Sequence, residues 1–241
     1  MATLTGIIDK MTPKYTTKLP LSKITVKYRP FLVKEEKILL IGMEDSAKDN
    51  VKEQYTMIRD LLDSCTDIED INSLPIAEVE LMFLKLRAKS VNNIVKLIVG
   101  GEGTDNTTEI SLDLDTIGIE GDIPDSKIMV SNDVGITLSP PTLGSLLDMD
   151  DTDLNSTAGQ FSGMITMIKA SMTEIFTQDE IIKTDNLSSD ELDEFIQNLS
   201  TKVLEKIGEY YNNIPAVQKE VEYELDGKPV KRILKGINDF L

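Results

Sequence analysis

The chain has 241 residues, of which 40% are hydrophobic, and this composition excludes a disordered polypeptide because enough apolar side chains are present to form a core. It has no histidine and one cysteine, Cys65, which excludes histidine-based catalysis, an all-thiolate zinc site and an intramolecular disulfide. The formal net charge of −17 opposes contact with a phosphate backbone, so no nucleic-acid partner is expected.

The charge is unevenly distributed along the chain. Residues 1–40 hold eight Lys or Arg against three Asp or Glu, whereas residues 101–160 hold one Lys against thirteen Asp or Glu. A basic beginning and an acidic middle are suited to an ordered association with partners or with copies of the chain. A solvated surface that keeps the protein soluble is the alternative interpretation of the same pattern.

The N-terminal part predicts one strand followed by three helices. Residues 1–20 have no clear period and are predicted to be a loose arm. Ile24, Val26 and Tyr28 alternate with polar residues, as in a strand, and Pro30 is expected to end it. The predicted elements are the strand Lys23–Phe31 and the helices Lys34–Met43, Ala47–Ser64 and Ile76–Ser90, in which apolar residues recur at intervals of three and four.

The pattern changes to a period of two residues after Asn93. Ile94–Val99 and Glu109–Leu114 flank the glycine-rich sequence GGEG and are predicted to pair as a hairpin with an acidic tip. The other elements predicted in this region are the strands Thr116–Glu120, Lys127–Ser131 and Gly135–Leu138 and the short helix Leu143–Leu147.

The C-terminal part returns to helical spacing and ends in a second hairpin. A helix is predicted over Thr157–Thr177 and another over Thr201–Tyr211. Between them, Ser188 and Glu191 have the spacing of a capping box, which predicts a helix that begins there. Near the end, Asp226–Gly227 separates the extended runs VEYEL and KPVKRIL, and this dipeptide favours a tight hairpin turn.

These elements predict an α+β fold, with an N-terminal strand plus helices, a central β region, and C-terminal helices ending in a β-hairpin. We expect an N-terminal arm over residues 1–22, a helical and β lobe over 23–150, and a helical lobe with the terminal hairpin over 151–241. Cys65 ends a predicted helix and is expected to be a small buried side chain.

The motifs that carry chemistry are weak in this sequence. The strongest acidic cluster, Asp148–Asp153, fails as a calcium loop in both registers, because the glycine and the bidentate glutamate that such a loop requires are missing. A solvated loop is the simpler interpretation, with adventitious binding of a divalent ion as the alternative. GGEG lies between two strands and lacks the Gly-Lys-Ser/Thr of a phosphate loop. We therefore expect no cofactor, no metal and no enzymatic activity.

The cellular location is predicted from what the sequence lacks. The N-terminal sequence MATLTGIIDKMTPKY has no long apolar stretch of the kind found in a signal peptide. No apolar run approaches the length needed to cross a bilayer, so no membrane partner is expected. With a single cysteine, the chain fits a reducing cytoplasm.

Two blocks of the sequence resemble a known family. The first is Tyr28–Lys37, YRPFLVKEEK, and the second is Leu74–Ser90, LPIAEVELMFLKLRAKS, about forty residues further along. The C-terminal Leu234–Phe240 adds a glycine followed by an aromatic residue. Together these segments are similar to the T-even-type phage baseplate proteins, a family that includes the baseplate hub assembly factor.

The resemblance implies assembly of a phage tail rather than catalysis, so it carries no catalytic residues over to this chain. It implies an assembly factor or chaperone that binds hub subunits without nucleotide in the host cytoplasm. The alternative is a structural subunit retained in the virion tail baseplate, and self-association is a further expectation. A carboxylate enzyme or calcium-binding module is disfavoured by the failed loop and the missing histidine.

Five residues of the two blocks are candidates for binding a partner. Each has an alternative structural interpretation, in which the ions are packed internally and the aromatic ring is ordinary core. The candidates are Arg29, Phe31, Glu80, Arg87 and Lys89.

Overall fold

The computed structural model describes residues 11–36, 51–100, 106–149 and 157–240. It confirms the α+β class. The chain forms two compact units, one of Met1–Glu120 with Ala216–Leu241 and the other of Gly121–Pro215. The contacts therefore place the terminal hairpin in the same unit as the N-terminal helices. The domain boundaries that the sequence suggests at residues 22 and 150 stay predictions.

The first unit begins with a two-stranded antiparallel sheet. Strand β1, Tyr15–Lys18, pairs with β2, Thr25–Tyr28, so the predicted strand is confirmed with narrower bounds. The prediction of a loose arm is wrong for β1. Its four residues pair with β2 through backbone groups, and Leu19, directly after β1, is fully buried. Pairing between segments with few apolar residues leaves little trace in a short sequence window.

Two helices of the first unit confirm their predictions. Helix α1 spans Val51–Cys65 and helix α2 spans Ile76–Ser90. Residues 33–36 are helical, while the rest of the predicted helix Lys34–Met43 and the first four residues of Ala47–Ser64 lie outside the described residues. Buried residues occur all around α2, which makes it the central helix of this unit. A helix that is buried on all sides needs partners for its polar residues too.

Both predicted hairpins are present in the first unit. Strand β3, Ile94–Gly100, pairs antiparallel with β4, Thr107–Asp113, and residues 101–105 at the predicted acidic tip lie outside the described residues. Strand β5, Gly118–Glu120, lies at one edge of a three-stranded sheet of order β11-β10-β5. The other two strands of that sheet are β10, Ala216–Leu225, and β11, Lys228–Lys235.

The turn of the terminal hairpin has the geometry that its sequence predicts. Asp226 and Gly227 have φ angles of 53° and 73°, as the two central residues of a type I′ turn require. The register places Leu225 opposite Lys228. Helix α2 packs against β10 and β5, and the buried face of β3 contributes Val95, Leu97 and Val99 to the core of this unit.

The second unit contains a four-stranded antiparallel sheet of order β6-β7-β8-β9. Its strands are β6 Lys127–Met129, β7 Gly135–Leu138, β8 Met172–Phe176 and β9 Ile181–Lys183. Its helices are α3 Leu143–Leu147, α4 Thr157–Ser171, α5 Ser189–Gln197 and α6 Thr201–Asn213. The predicted capping box is confirmed, since Ser188 and Glu191 each bond the backbone of the other.

The predicted helix over Thr157–Thr177 is too long. The helix ends at Ser171 and the following residues form β8, which pairs with β7 on one side and β9 on the other. Met172 and Ile175 are buried three residues apart, a spacing that fits a helix although the backbone is a strand. Strand pairing across the sequence therefore overrides the local period.

Cys65 is buried at the end of α1, as predicted, with 3% of its surface exposed. Burial raises the pKa of its thiol to about 11, so little thiolate forms near pH 8. We expect the native protein to react with a thiol-reactive dye only as fast as it unfolds, and the urea-unfolded protein to react at once. Because this is the only thiol, the absorbance of the released dye reports it directly. Rapid stoichiometric labelling of the native protein would contradict this burial.

Candidate functional site

Arg29 follows β2 and ties that strand to the end of α1. Its guanidinium donates hydrogen bonds to the Ser64 carbonyl at 2.7 Å and to the Glu35 carboxylate at 3.0 Å. Glu35 also accepts a hydrogen bond from the backbone N–H of Leu32 at 2.7 Å. Burial acts to raise the pKa of Glu35, but the hydrogen bonds from Arg29, Leu32 and Lys34 outweigh it and hold the pKa below its ordinary value. The charge of Arg29 is thus matched inside the unit.

Phe31 joins the two family-like blocks. Its side chain is buried, and its backbone N–H donates a hydrogen bond to the Ser90 hydroxyl at 2.9 Å. Ser90 in turn donates to the Leu86 carbonyl at 2.6 Å, one turn back in α2. The first block therefore closes onto the last turn of the helix that forms the second.

Lys89 lies on the same end of α2 and is half-buried. Its ammonium group contacts both carboxylate oxygens of Asp115, at 2.8 and 2.9 Å, and lies 5.9 Å from the centre of the Tyr15 ring. The hydrogen bond with Asp115 raises the pKa of Lys89. Tyr15 packs against Tyr28 with ring centres 5.5 Å apart, so Lys89 belongs to a contact between α2 and the β1–β2 sheet.

Glu80 is in the middle of α2, is 6% exposed, and contacts a different part of the chain. Its Oε1 atom accepts two hydrogen bonds, one from the Tyr55 hydroxyl at 2.5 Å and one from the backbone N–H of Ile237 at 3.3 Å. Burial raises the pKa of Glu80, although both hydrogen bonds act to lower it. Burial and the neighbouring Glu80 also raise the pKa of Tyr55. Glu80 therefore links α1, α2 and the C-terminal segment.

Arg87 differs from the other four candidates. It is half-buried, and its Nη1 atom is buried without a hydrogen-bond partner in the described part of the chain. Burial lowers the pKa of its guanidinium, which reflects the cost of removing the charge from water. Buried polar groups are nearly always paired in folded proteins, so the unpaired nitrogen distinguishes Arg87 from the other four candidates.

Glu78 is a buried acid that no sequence motif singles out. It is fully buried in the first turn of α2, and its Oε1 accepts hydrogen bonds from the backbone N–H groups of Leu21 and Ser22, at 2.6 and 3.0 Å. Its Oε2 atom and the Ser22 hydroxyl have no partner among the described residues. An acid near a helix start usually stabilises its own helix. Here it holds a turn that lies more than fifty residues earlier, which only the fold reveals.

The buried Glu80 carboxylate predicts a pH-dependent difference in stability. Because burial raises its folded-state pKa, Glu80 contributes most stability below its unfolded pKa of about 4.3 and loses it as pH rises through the raised value. Glu80→Gln cannot titrate, so the stability of this variant relative to the original should improve as pH rises from about 4 to about 8. Urea unfolding of both proteins at each pH measures this difference. A difference that stays constant across that range would contradict the raised pKa.

The described residues contain no group of three or more His, Cys, Asp or Glu that could hold a metal ion. Most of the predicted acidic cluster Asp148–Asp153 lies outside them, since residues 150–156 are not described. Among the same residues, no helix combines the length and the apolar character needed to cross a membrane.

A family model described as T4 bacteriophage base plate protein matches residues 12–241, nearly the whole chain. The chain belongs to this family. The match covers both blocks and the C-terminal segment of the baseplate protein, and it confirms the predicted family. Comparisons with curated proteins and with solved structures found no match.

Family membership makes this a baseplate-associated phage protein whose partners are other phage baseplate proteins. Within the fold, Phe31 and Lys89 lie at the last turn of α2, Arg29 contacts the end of α1, and Glu80 contacts the C-terminal segment. The role of these residues in binding a partner stays a prediction. Their internal contacts give a sufficient structural reason for four of the five, and Arg87 is the exception.

Proposed function

We propose that this baseplate protein is a non-catalytic assembly factor that binds a subunit of the baseplate hub in the cytoplasm of the infected host. The observation that carries the proposal is the family match over residues 12–241. The absence of histidine from the sequence supports a role without catalysis, because the most common general base is missing. The protein acts by binding, and its partner is a protein.

Arg87 is the best candidate contact for that partner among the five predicted residues. The described residues give the half-buried Arg87 side chain no hydrogen bond or ion pair, so a partner carboxylate that reaches its exposed part gains a charge-assisted hydrogen bond. Arginine is also enriched among the residues that dominate binding energy in protein interfaces.

Affinity capture of the tagged baseplate protein from phage-infected cells tests this function. The expected result is a hub subunit captured in stoichiometric amount and identified by mass spectrometry. Capture of no phage protein, or of baseplate proteins other than hub subunits, would overturn the hub assignment.

Substitution of Arg87 separates binding from folding in the same experiment. Arg87→Met removes an unpaired charge from a half-buried position, so we expect unchanged or slightly higher thermal stability and at least tenfold weaker capture. Lys85→Met on the same helix is the matched control and should leave capture unchanged. An Arg87→Met variant that folds and still captures its partner fully would remove Arg87 from the binding surface.

A second candidate function is that of a structural subunit retained in the tail. The family description, which names a base plate protein, favours it. The two functions predict different amounts of the protein in finished tails, because an assembly factor leaves and a structural subunit remains.

A further inference from the structure

The outer edge of β3 is unpaired among the described residues. In the described part of the chain, β3 pairs with β4 and with no other strand. The N–H of Leu114 donates a hydrogen bond to the Asn93 carbonyl at 2.7 Å, and these two residues directly adjoin the first pair of the ladder, Ile94 and Asp113. This bond fixes which residues of β3 direct their backbone groups toward β4. Backbone groups alternate in direction along an antiparallel strand. Lys96 and Ile98 therefore turn their N–H and C=O groups away from β4.

An independent contact supports this assignment. Gly100 follows the same alternation, and its carbonyl accepts a hydrogen bond from the Tyr223 hydroxyl of β10 at 2.7 Å rather than one from β4. The edge formed by Lys96 and Ile98 thus offers two donors and two acceptors for another strand. The structure records no hydrogen bond of its described residues to the two N–H groups.

A groove of about 350 Å³ runs along this edge. Four consecutive residues of β3 line it, so the groove follows the strand. The complete lining is Lys96, Leu97, Ile98, Val99, Arg232, Leu234, Asn238 and Asp239. All of these residues belong to the first unit. A strand added to β3 would lie in this groove.

The edge of β3 is only weakly protected against strand addition. Natural edge strands carry proline or charged residues that discourage pairing with another chain. The outer strand β11 has Pro229 and four basic residues, whereas β3 has no proline and one charged residue, Lys96, and exposes Ile98, with 77% of its surface accessible. An exposed isoleucine beside open backbone groups is suited to pairing with a partner.

The side chains around the groove define what kind of strand fits. Leu97, Val99 and Leu234 are buried and give an apolar floor, while Lys96 and Arg232 stand at the rim with side chains 70% and 44% exposed. Of the four basic residues of β11, only Arg232 lines the groove. Lys96 contacts Glu109 at 2.7 Å and Arg232 lies 4.0 Å from Asp239, and ion pairs as exposed as these are weak enough for a partner carboxylate to compete with them.

We propose that this groove binds an extended segment of another baseplate protein, which adds to the edge of β3 as a strand. The segment alternates apolar residues, which face the floor, with carboxylates, which meet Lys96 and Arg232. Main-chain hydrogen bonds to Lys96 and Ile98 supply the attachment and the charges select the sequence. The proposal rests on the proposed function only in requiring a protein partner. It applies whether this protein leaves the baseplate after assembly or stays in it.

A peptide with alternating glutamate and valine, EVEVEVEV, tests the groove, and KVKVKVKV is its matched control. Binding of each labelled peptide to the full-length protein is measured by fluorescence anisotropy. We expect the glutamate peptide to bind at least tenfold more tightly than the lysine peptide. Equal binding of the two peptides, or no binding of the glutamate peptide, would overturn the proposal.

Substitutions of Ile98 test the strand geometry. Ile98→Pro removes an N–H that points away from β4, so the β3–β4 ladder is kept and the glutamate peptide should bind at least tenfold more weakly. Ile98→Ala keeps the N–H and should bind within about threefold of the original protein. Undiminished binding to a folded Ile98→Pro variant would overturn strand addition.

Charge reversal supplies a second test in case the proline variant does not fold. Lys96→Glu combined with Arg232→Glu changes exposed side chains and should reverse the preference between the two peptides. An unchanged preference would contradict the role of these cations. The other candidate occupant of the groove is a second copy of this chain, and sedimentation of the unmodified protein tests for it. A dimer that dissociates in the Ile98→Pro variant would overturn the partner segment in favour of this second copy.

Discussion

Phe240→Ala is expected to lower the free energy of unfolding by about 3–5 kcal/mol, the largest effect of any single substitution considered for this protein. Phe240 is fully buried although it lies next to the C-terminus. It belongs to the 3₁₀ turn Ile237–Phe240, in which Ile237 is also buried. Removal of the ring leaves a cavity beneath the C-terminal segment and loses the transfer free energy of the aromatic group.

The midpoint of urea unfolding, with the slope held equal, measures this loss. Phe240→Leu retains most of the apolar volume and should cost less than half as much. A loss below about 1 kcal/mol for Phe240→Ala would mean that the end of the chain is not anchored in solution as the structure has it.

Glu80→Ala is expected to lower the free energy of unfolding by about 2–4 kcal/mol. The substitution leaves two buried donors, the Tyr55 hydroxyl and the backbone N–H of Ile237, without their shared acceptor. A buried donor without an acceptor lowers the free energy of unfolding by more than the net contribution of the hydrogen bond, because the group cannot bond to water instead. The variant should also loosen the C-terminal segment, since Ile237 loses its contact with α2.

Glu80→Gln is the matched control for this prediction. Glutamine has nearly the same volume and keeps one oxygen as an acceptor for both donors, so it should cost clearly less than alanine at neutral pH. Hydrogen exchange at the Ile237 amide provides a local reading besides global stability. Equal stabilities of the alanine variant and the unmodified protein would support a surface role for Glu80 and contradict its packing.

Local signals in the sequence account for much of the fold. Helix α2 has the predicted bounds, because Pro75 precedes its first turn and polar residues follow its last apolar positions. The Asp226–Gly227 turn and the Ser188 capping box were equally predictable, since each depends on a few neighbouring residues. In these places propensity, turn chemistry and burial favour the same structure.

The errors fall at strands that are defined by their pairing rather than by their local sequence. Strand β8 has apolar residues at helical spacing, and only its pairing with β7 and β9 makes it a strand. Strand β1 depends on β2 in the same way. Strands β7 and β8 are far apart in sequence, while β1 and β2 are close but contain few apolar residues, so a local window carries little information about either pairing.

The candidate binding residues illustrate the same limit. Sequence reasoning finds the charged residues of α2 but cannot distinguish Glu80, whose carboxylate accepts two hydrogen bonds, from Arg87, which has an unpaired nitrogen. The groove beside β3 was also beyond reach, because Arg232 and Leu234 come from the far end of the chain. The resemblance of the two sequence blocks indicates the family, whereas the surfaces open to a partner follow from tertiary packing.

The number of copies in finished tails tests the proposed assembly role most directly. Quantitative mass spectrometry of purified tails, calibrated with an isotope-labelled standard of this protein and compared with infected-cell extract, gives that number. The assembly role predicts abundant protein bound to a hub subunit in the extract and far less than one copy per tail. A fixed, whole number of copies in every purified tail would contradict it and establish a structural subunit of the baseplate.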